Sequence, residues 1–395
     1  MIYDAIVVGA GPAGSTAARE LAQRGGNVLL LEKARFPRDK PCGGGVTPRA
    51  ARLLPFELVS VTERTVDGVY FSLKQRHGFA RRSATPVTFL TQRRHLDAFL
   101  VEQAAGAGVT FHDGDGVSGV EQGRDGVVVQ SRSGRYAGRV LIGADGANGP
   151  VARLTGLTGV RDVAVALEGN IPAGDAFPAR WRDRIGMDLG GIPGGYGWLF
   201  PKGDHLNVGV GGWQHLAASL RVRLEALCRF YDLPAAHMEG LRGHRLPVRR
   251  AGAPLARGRV ALAGDAAGLL DPLSGEGIYA AIYSGRAVAE HASALLAGRV
   301  ASLDAYAAAI ERDLMPDLNA SRRFQDVFYL VPAVYVGLLR RSDRIWELLA
   351  DLIRGEQSYV GFKRRLGPLG WAVDAASLAV RTTPLRRAAG LPPRA

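Results

Sequence analysis

One short segment constrains this chain more than any other. Gly9-Ala10-Gly11-Pro12-Ala13-Gly14 directly follows the apolar run Ala5–Val8 and opens a helix-patterned stretch, Ser15–Gln23. Val28–Leu31 is apolar again and ends in Glu32, with Lys33 next to it. Strand, glycine turn, helix and strand in that order form one βαβ unit with parallel strands. Each glycine has a task there. Gly9 permits the tight turn, Gly11 lets backbone N–H groups approach a pyrophosphate, and Gly14 lets the helix pack close to the strand. Pro12 and Ala13 complete the turn, and Glu32 is placed to accept hydrogen bonds from a ribose.

The fingerprint alone does not separate NAD from FAD, but two distant segments do. Leu141-Ile142-Gly143-Ala144-Asp145-Gly146 is a strand running into an Asp-Gly turn. Val260-Ala261-Leu262-Ala263-Gly264-Asp265 is a strand, a Gly-Asp pair and then a helix start. An Asp at a strand end holds a sugar or ribitol hydroxyl while free amides face the pyrophosphate. Either segment alone is an ordinary turn or cap. In this order and in one chain, the three point to FAD.

The rest of the chain alternates. Val66–Leu73 has a strand pattern and Arg94–Ala104 a helical one. Short strands then cluster at Val109–Phe111, Gly116–Gln122, Val127–Ser131 and Val140–Ile142. From Val163 to about Val248, β-like stretches alternate with glycine turns, with one helix expected over Ala217–Tyr231. Gly277–Leu296 reads as helix, and the remainder is mainly helical up to a Pro- and Arg-rich end from Pro384. The formal net charge is +13 over 395 residues. Nucleic acid is not the implied partner, because the arginines are scattered and no binding motif accompanies them. Two cysteines, Cys42 and Cys228, cannot make a disulfide framework, so a reducing, cytoplasmic setting is expected. No cleavable signal pattern opens the sequence. The histidines are isolated, and no metal-ligand spacing occurs, so no metal is expected.

In fingerprint, Asp-Gly and Gly-Asp order, the sequence resembles the aromatic-ring hydroxylase superfamily of flavoproteins, and Arg93 with Leu96-Asp97 resembles the helix whose arginine approaches FAD there. Pro41-Cys42-Gly43-Gly44-Gly45 and Tyr196-Gly197-Trp198-Leu199-Phe200-Pro201-Lys202 narrow the resemblance to the geranylgeranyl reductase family. That family consists of flavoenzymes that saturate isoprenoid double bonds of lipids, pigment side chains or quinone tails. The likeness extends over about the first 300 residues. It implies an α/β fold (α+β overall), with a discontinuous Rossmann-type FAD domain over 1–50, 88–155 and 256–298. A mainly antiparallel β substrate domain is expected over 51–87 and 156–255, and a helical C-terminal region over 299–395.

The same resemblance assigns roles. Gly275, Glu276 and Gly277, before a helix, would set backbone amides against negative charge on the reduced flavin. Cys42, between a proline and three glycines, is the candidate proton donor or relay to the substrate carbon. Cys228 lies in an apolar helix and reads as core. Tyr196, Trp198 and Phe200 alternate onto one face of a strand ending at Pro201, with Gly194, Gly195 and Gly197 expected to leave room beside them for an apolar chain. The electron donor would be NAD(P)H or ferredoxin, since a second dinucleotide fingerprint is absent from the sequence. Two rivals share the scaffold. One is a monooxygenase or halogenase, for which Lys74 would be the halogen-carrying lysine. The other is a non-enzymatic prenyl-lipid carrier.

Val327–Leu339 is uncharged and too short to span a bilayer. Arg340 and Arg341 come directly after it. The expectation is either a buried core helix or an interfacial one that brings the protein to the inner face of a membrane as a peripheral partner.

Overall fold

A computed structural model describes residues 2–159, 161–173 and 178–391; the final residues of the Pro- and Arg-rich end lie outside these. The chain divides into two compact units, each assembled from three separated pieces. The first comprises Met1–Lys40, Arg93–Asp162 and Leu246–Pro316, and the second Pro41–Gln92, Val163–Arg245 and Asp317–Ala395. Residues beyond 299, read from the sequence as one helical region, therefore contribute to both units.

The first unit is built on a parallel sheet in the order Thr110–Asp113, Val28–Glu32, Ile2–Val8, Arg135–Gly143, Val260–Leu262. The middle stretches of its inner strands, Ala5–Val8, Val28–Leu31 and Val140–Ile142, are apolar and buried on both faces. Leu29, Leu30, Leu31, Ile6 and Val7 are fully buried. The helix Pro12–Gln23 packs against both Arg93–Gly106 and Ile278–Leu296. Register decides what the sheet can do. Val8 pairs with Leu31 on one side and Gly143 on the other, and Gly143 pairs with Leu262. The fingerprint, Glu32, Asp145 and Gly264-Asp265 therefore all emerge at the carboxyl edge of the sheet, where doubly wound folds bind their ligands.

The second unit holds a seven-stranded sheet that includes Arg161–Pro172, His205–Trp213, Gly195–Pro201, Arg184–Ile192 and Gly68–Leu73, in that order. All of these pairings are antiparallel except that between Arg184–Ile192 and Gly68–Leu73. The helix Leu220–Phe230 buries Leu224 and Leu227 against Leu199, Val208 and Val210 on one face. On the other, Val336, Leu339 and Trp346 from the C-terminal helices pack with Phe71, Val69 and Ile185.

Two expectations need correcting. Val66–Leu73 is not one strand. Arg64–Val66 and Gly68–Leu73 join different sheets, parting at Asp67, whose carbonyl accepts from Ser83 N–H. The uncharged run Val327–Leu339 is not one helix either. One helix ends at Leu330 and the next begins at Pro332, because proline has no N–H to continue the ladder. In the second of these, Val336 and Leu339 are buried and Val334 and Leu338 are exposed. No helix among the described residues is long and apolar enough to cross a membrane.

Candidate functional site

The expected cofactor residues all fall in the first unit. Gly9 has φ +100°, and a Cβ there would lie 2.3 Å from the Ala144 carbonyl oxygen, so the fingerprint turn is pressed onto the Asp-Gly segment. A Cβ at Gly14 would fall 1.8 Å from the Gly9 oxygen. Gly264, with φ +59°, sits 3.0 Å at its Cβ position from the Ala13 side chain, and its N–H donates to Ser284 Oγ. Close backbone approach, available only without side chains, thus draws the three segments together.

Gly11 differs from these. A side chain there would meet only Arg93 Nη2 at 3.7 Å and Arg38 Nη2 at 3.8 Å. Both guanidiniums are held by Asp97, which is fully buried and accepts from Arg93 Nε and Nη2 at 2.8 Å each and pairs with Arg38 Nη1 at 2.9 Å. Arg38 also approaches Glu32 at 3.6 Å. The space over Gly11 therefore has a helix N-terminus below and two cations beside it, a donor set that matches a pyrophosphate. Sequence reasoning misses Arg38, since an arginine in a loop gives no sign that a distant buried carboxylate will orient it.

The acidic residues behave differently from one another. Glu32 accepts from the Ala10 N–H at 2.9 Å and the Ala34 N–H at 3.0 Å, which fixes the carboxylate and leaves each oxygen further acceptor capacity. Asp145 Oδ2 accepts from Val151 N–H at 2.8 Å, while its Oδ1 is buried with no hydrogen-bond partner. Burial pushes the Asp145 carboxyl up to about 6. An unsatisfied buried acceptor is costly, and a ligand hydroxyl is the group that would satisfy it. Asp265 is paired with Lys40 at 2.9 Å. Lys33 is exposed at the end of its strand, and Gly146 has φ +79° in the turn after Asp145.

The loop before Ile278 uses several of its own amides. Gly275 N–H donates to the Asp271 carbonyl at 2.9 Å, and Glu276 N–H to Ser274 Oγ at 3.2 Å. The first intrahelical bond is Ala281 N–H to Gly277 O, so the amides of Ile278 and Ala280 precede it. The amides left for a negative charge thus belong mainly to the helix start and less to Gly275 and Glu276 than the sequence suggested.

Cys42, Tyr196, Trp198, Phe200 and Pro201 all fall in the second unit. Its two sequence motifs turn out to be one structural piece. A Cβ on Gly43 would lie 2.8 Å from the Phe200 ring and one on Gly45 3.3 Å from it, so the glycine loop lies flat on the aromatic strand. Gly44 has φ +64°, and a Cβ there would strike the Thr91 oxygen. Lys202, 2% exposed, donates from Nζ to the Gly43 carbonyl at 2.5 Å and to the Thr91 carbonyl at 2.9 Å. Burial lowers this ammonium to about 8, against the opposing pull of Cys42, Glu63 and Glu168. Glu168 accepts from Cys42 N–H at 2.5 Å, and Gly44 N–H reaches Cys42 Sγ at 3.4 Å. The thiol is half-buried. Lys202 belongs to the aromatic motif, yet its role is hidden in the sequence, because a lysine after a strand ordinarily reads as solvated. Cys228, in contrast, is fully buried, and its thiol is pushed up to about 11 by burial.

The aromatic stripe is placed as alternation requires, but the glycines expected to leave room beside it do not, and different glycines share its face. Gly197 lies against Leu227 and Gly194 against Trp213, on positions already filled. Gly209 and Gly211, cross-strand partners of Trp198 and Tyr196, share the aromatic face. The Trp198 indole lies over Gly209, and its Nε1–H donates to Asn207 at 2.9 Å. Tyr196 and Phe200 stay half-buried and join the cluster that contains Phe328. The space expected at Gly194, Gly195 and Gly197 is taken by Trp213, by the Gly211 backbone and by Leu227 of the helix Leu220–Phe230 respectively. Lys74 is exposed in the tight turn after Gly68–Leu73, with φ +53°. Among the described residues no acidic, His or Cys group forms a metal-binding cluster.

The sheet edge, the fingerprint geometry and the converging Asp segments define an FAD-binding oxidoreductase, and a family model described as an FAD binding domain matches residues 2–176. Across 83% of its length the chain is 32% identical to the geranylgeranyl diphosphate reductase of Rhodobacter capsulatus, covering 85% of that protein. It is 31% identical to digeranylgeranylglycerophospholipid reductase 1 of Methanopyrus kandleri, over 82% of this chain and 86% of that one. The chain belongs to the geranylgeranyl reductase family of FAD-dependent oxidoreductases. A menaquinone reductase of Mycolicibacterium smegmatis is 32% identical, over 73% of this chain and 75% of that protein. A geranylgeranyl bacteriochlorophyll reductase-like structure from Thermoplasma acidophilum superposes with a TM-score of 0.73 at 25% identity, covering 89% of this chain and 91% of that one. A flavin-dependent brominase, at 21% identity and a TM-score of 0.68, covering 90% of this chain and 94% of that one, shares the fold.

Proposed function

We propose that this protein saturates carbon–carbon double bonds in the isoprenoid chain of a lipid, quinone or pigment. The observation that carries the reading is the Cys42 loop, laid flat on Phe200 and fastened by buried Lys202 and Glu168. A thiol in a loop held this firmly against an aromatic strand suits protonation of an alkene carbon. The first unit is the FAD-binding domain and the second the substrate domain, with residues from 317 onward supplying part of the wall opposite Tyr196 and Phe200.

FAD would be held by Gly9, Gly11, Gly14, Glu32, Arg93, Asp145 and Asp265, with Arg38 as a further cation, and in reduced form it would supply the hydride for one alkene carbon. Cys42 gives its proton to the other carbon and regains one from water. Glu168 and Lys202 keep the loop in place while this happens, and the apolar face excludes bulk water. NAD(P)H or ferredoxin is the source of electrons, distinguished by which of them bleaches the bound flavin. Peripheral contact with a membrane from the cytoplasmic side completes the reading, since a prenyl chain partitions into a bilayer. Lys74, the lysine that the halogenase alternative would use, stands exposed in a turn.

The test is mass spectrometry of prenyl lipids and quinones incubated with the dithionite-reduced FAD-loaded protein. Gains of two hydrogens per double bond support the reading. Gains of oxygen or halogen, or tight binding without turnover, would replace it with one of the rivals.

A further inference from the structure

The helix Pro368–Thr382 departs from the usual arrangement of a surface helix, which buries an apolar stripe and shows charge to water, because its outward side is apolar too. Gly370, Val373, Ser377 and Val380 are buried. The outward side carries Pro368, Trp371, Ala372, Ala375 and Leu378, all exposed and none charged. Trp371 is 81% exposed and Leu378 63%. The two charged residues of the helix lie on its flank and are paired, Asp374 with Lys363 at 2.7 Å and with Arg323 at 3.0 Å, and Arg381 with Asp326 at 2.6 Å.

Charge says what covers this face. Between Gln357 and Leu391 the sequence has one carboxylate, Asp374, against Lys363, Arg364, Arg365, Arg381, Arg386 and Arg387. Arg364 and Arg365 are exposed in the last turn of the helix just before, Tyr359–Arg365. An apolar helix face with tryptophan, flanked by arginines, has the composition of a helix lying in a bilayer interface. A second copy of the chain fits poorly, because a twofold contact on this face would bring two cationic rims together.

We propose that this face is a membrane-docking surface. Pro368–Thr382 lies in the plane of an anionic bilayer, Trp371 and Leu378 enter the headgroup boundary, and Arg364 and Arg365 meet lipid phosphates. This surface is distinct from Val327–Leu339, where the outward residues are fewer and Val336 and Leu339 are buried. The inference rests on the prenyl-reductase reading for its purpose only, since docking is measured without turnover.

The chain offers its own reporter. Its other tryptophans, Trp181, Trp198, Trp213 and Trp346, are at most 7% exposed, so an aqueous quencher of fluorescence acts on Trp371 almost alone. The full FAD-loaded protein is mixed with phosphatidylcholine vesicles, with or without an equal part of phosphatidylglycerol. Expected are flotation with the anionic vesicles only, reversal by salt, and protection of Trp371 from quenching. Trp371→Ala with Leu378→Ala should weaken binding about tenfold or more, and Arg364→Glu with Arg365→Glu should remove the preference for anionic lipid. Both variants should keep bound FAD, and turnover of a water-soluble prenyl diphosphate reports separately on the reductase reading. The proposal falls if the wild type ignores anionic vesicles, or if the Trp371 and Leu378 variant floats as well as the parent. It also falls if Trp371 becomes protected without vesicles as protein concentration rises, which would assign the face to a second copy.

Discussion

Gly11 is the residue at which the proposed pyrophosphate site is tested most directly. Its Cβ position is open on the protein side and bounded by two guanidiniums. Gly11→Leu should therefore leave folding nearly intact and abolish FAD binding, seen as colourless protein with an unchanged circular dichroism spectrum. Asp145 gives a pH signature. Its folded carboxyl stands at about 6, above the ordinary 3.8, so the apo fold binds this proton more tightly than the unfolded chain. The contribution is most favourable below 3.8 and is lost as pH rises through about 6. Asp145→Asn should flatten that part of the apo stability profile. A hydroxyl donating to Oδ1 bonds more strongly to the carboxylate than to the neutral acid, so FAD affinity in the parent should weaken as pH falls through about 6. Cys42→Ala should retain FAD and lose turnover by ~10²–10⁴-fold, and a loss under about threefold would remove the thiol from the proton step. Cys228→Ala is the control, touching stability alone.

At the scale of elements, the loop Pro41–Gly45 and the strand Gly195–Pro201 act together. Gly44→Ala forces a side chain into a positive-φ position and against the Thr91 oxygen. The expected outcome is a displaced loop, read as a changed rate of Cys42 alkylation and reduced turnover, with FAD content preserved. The sequence disclosed these elements unevenly. The strand, turn and helix of Val8–Gln23 were legible because only glycine tolerates the backbone approach found at Gly9 and Gly14. Alternation likewise gave the common face of Tyr196, Trp198 and Phe200. It did not give Gly209 and Gly211 as the glycines on that face, because cross-strand register is invisible until the partner strand is known. Arg38 and Lys202 stayed hidden for a related reason. Their partners, Asp97, Gly43 and Thr91, are distant in sequence, and a long cation reads as surface until something buried is found to hold it.

Over the whole molecule, three remote segments converge at one sheet edge, the cradle proposed for FAD. FAD should slow amide hydrogen exchange at residues 9–14, 144–151 and 263–281 together, and leave the core strand His205–Trp213 unchanged. Protection confined to the fingerprint would mean that the Asp-Gly and Gly-Asp segments do not take part. The apolar outward side of Pro368–Thr382 was not legible in advance. Apolar residues run round most of this helix, so only the packing tells which stripe faces out.

The interleaving of the two units has a consequence for how the chain is made. Ile2–Val8 pairs with Arg135–Gly143, which in turn pairs with Val260–Leu262. During synthesis the first strand must wait for well over a hundred residues before its second neighbour exists, and the Gly-Asp segment arrives later still. The other unit cannot close ahead of it, because its first piece, Pro41–Gln92, awaits strands from Val163 onward. Neither unit can therefore finish on the ribosome before its partner has begun. A nascent chain of this design carries unpaired apolar strands for most of its emergence, so its yield should depend on chaperone supply and growth temperature more than that of a protein built from consecutive domains.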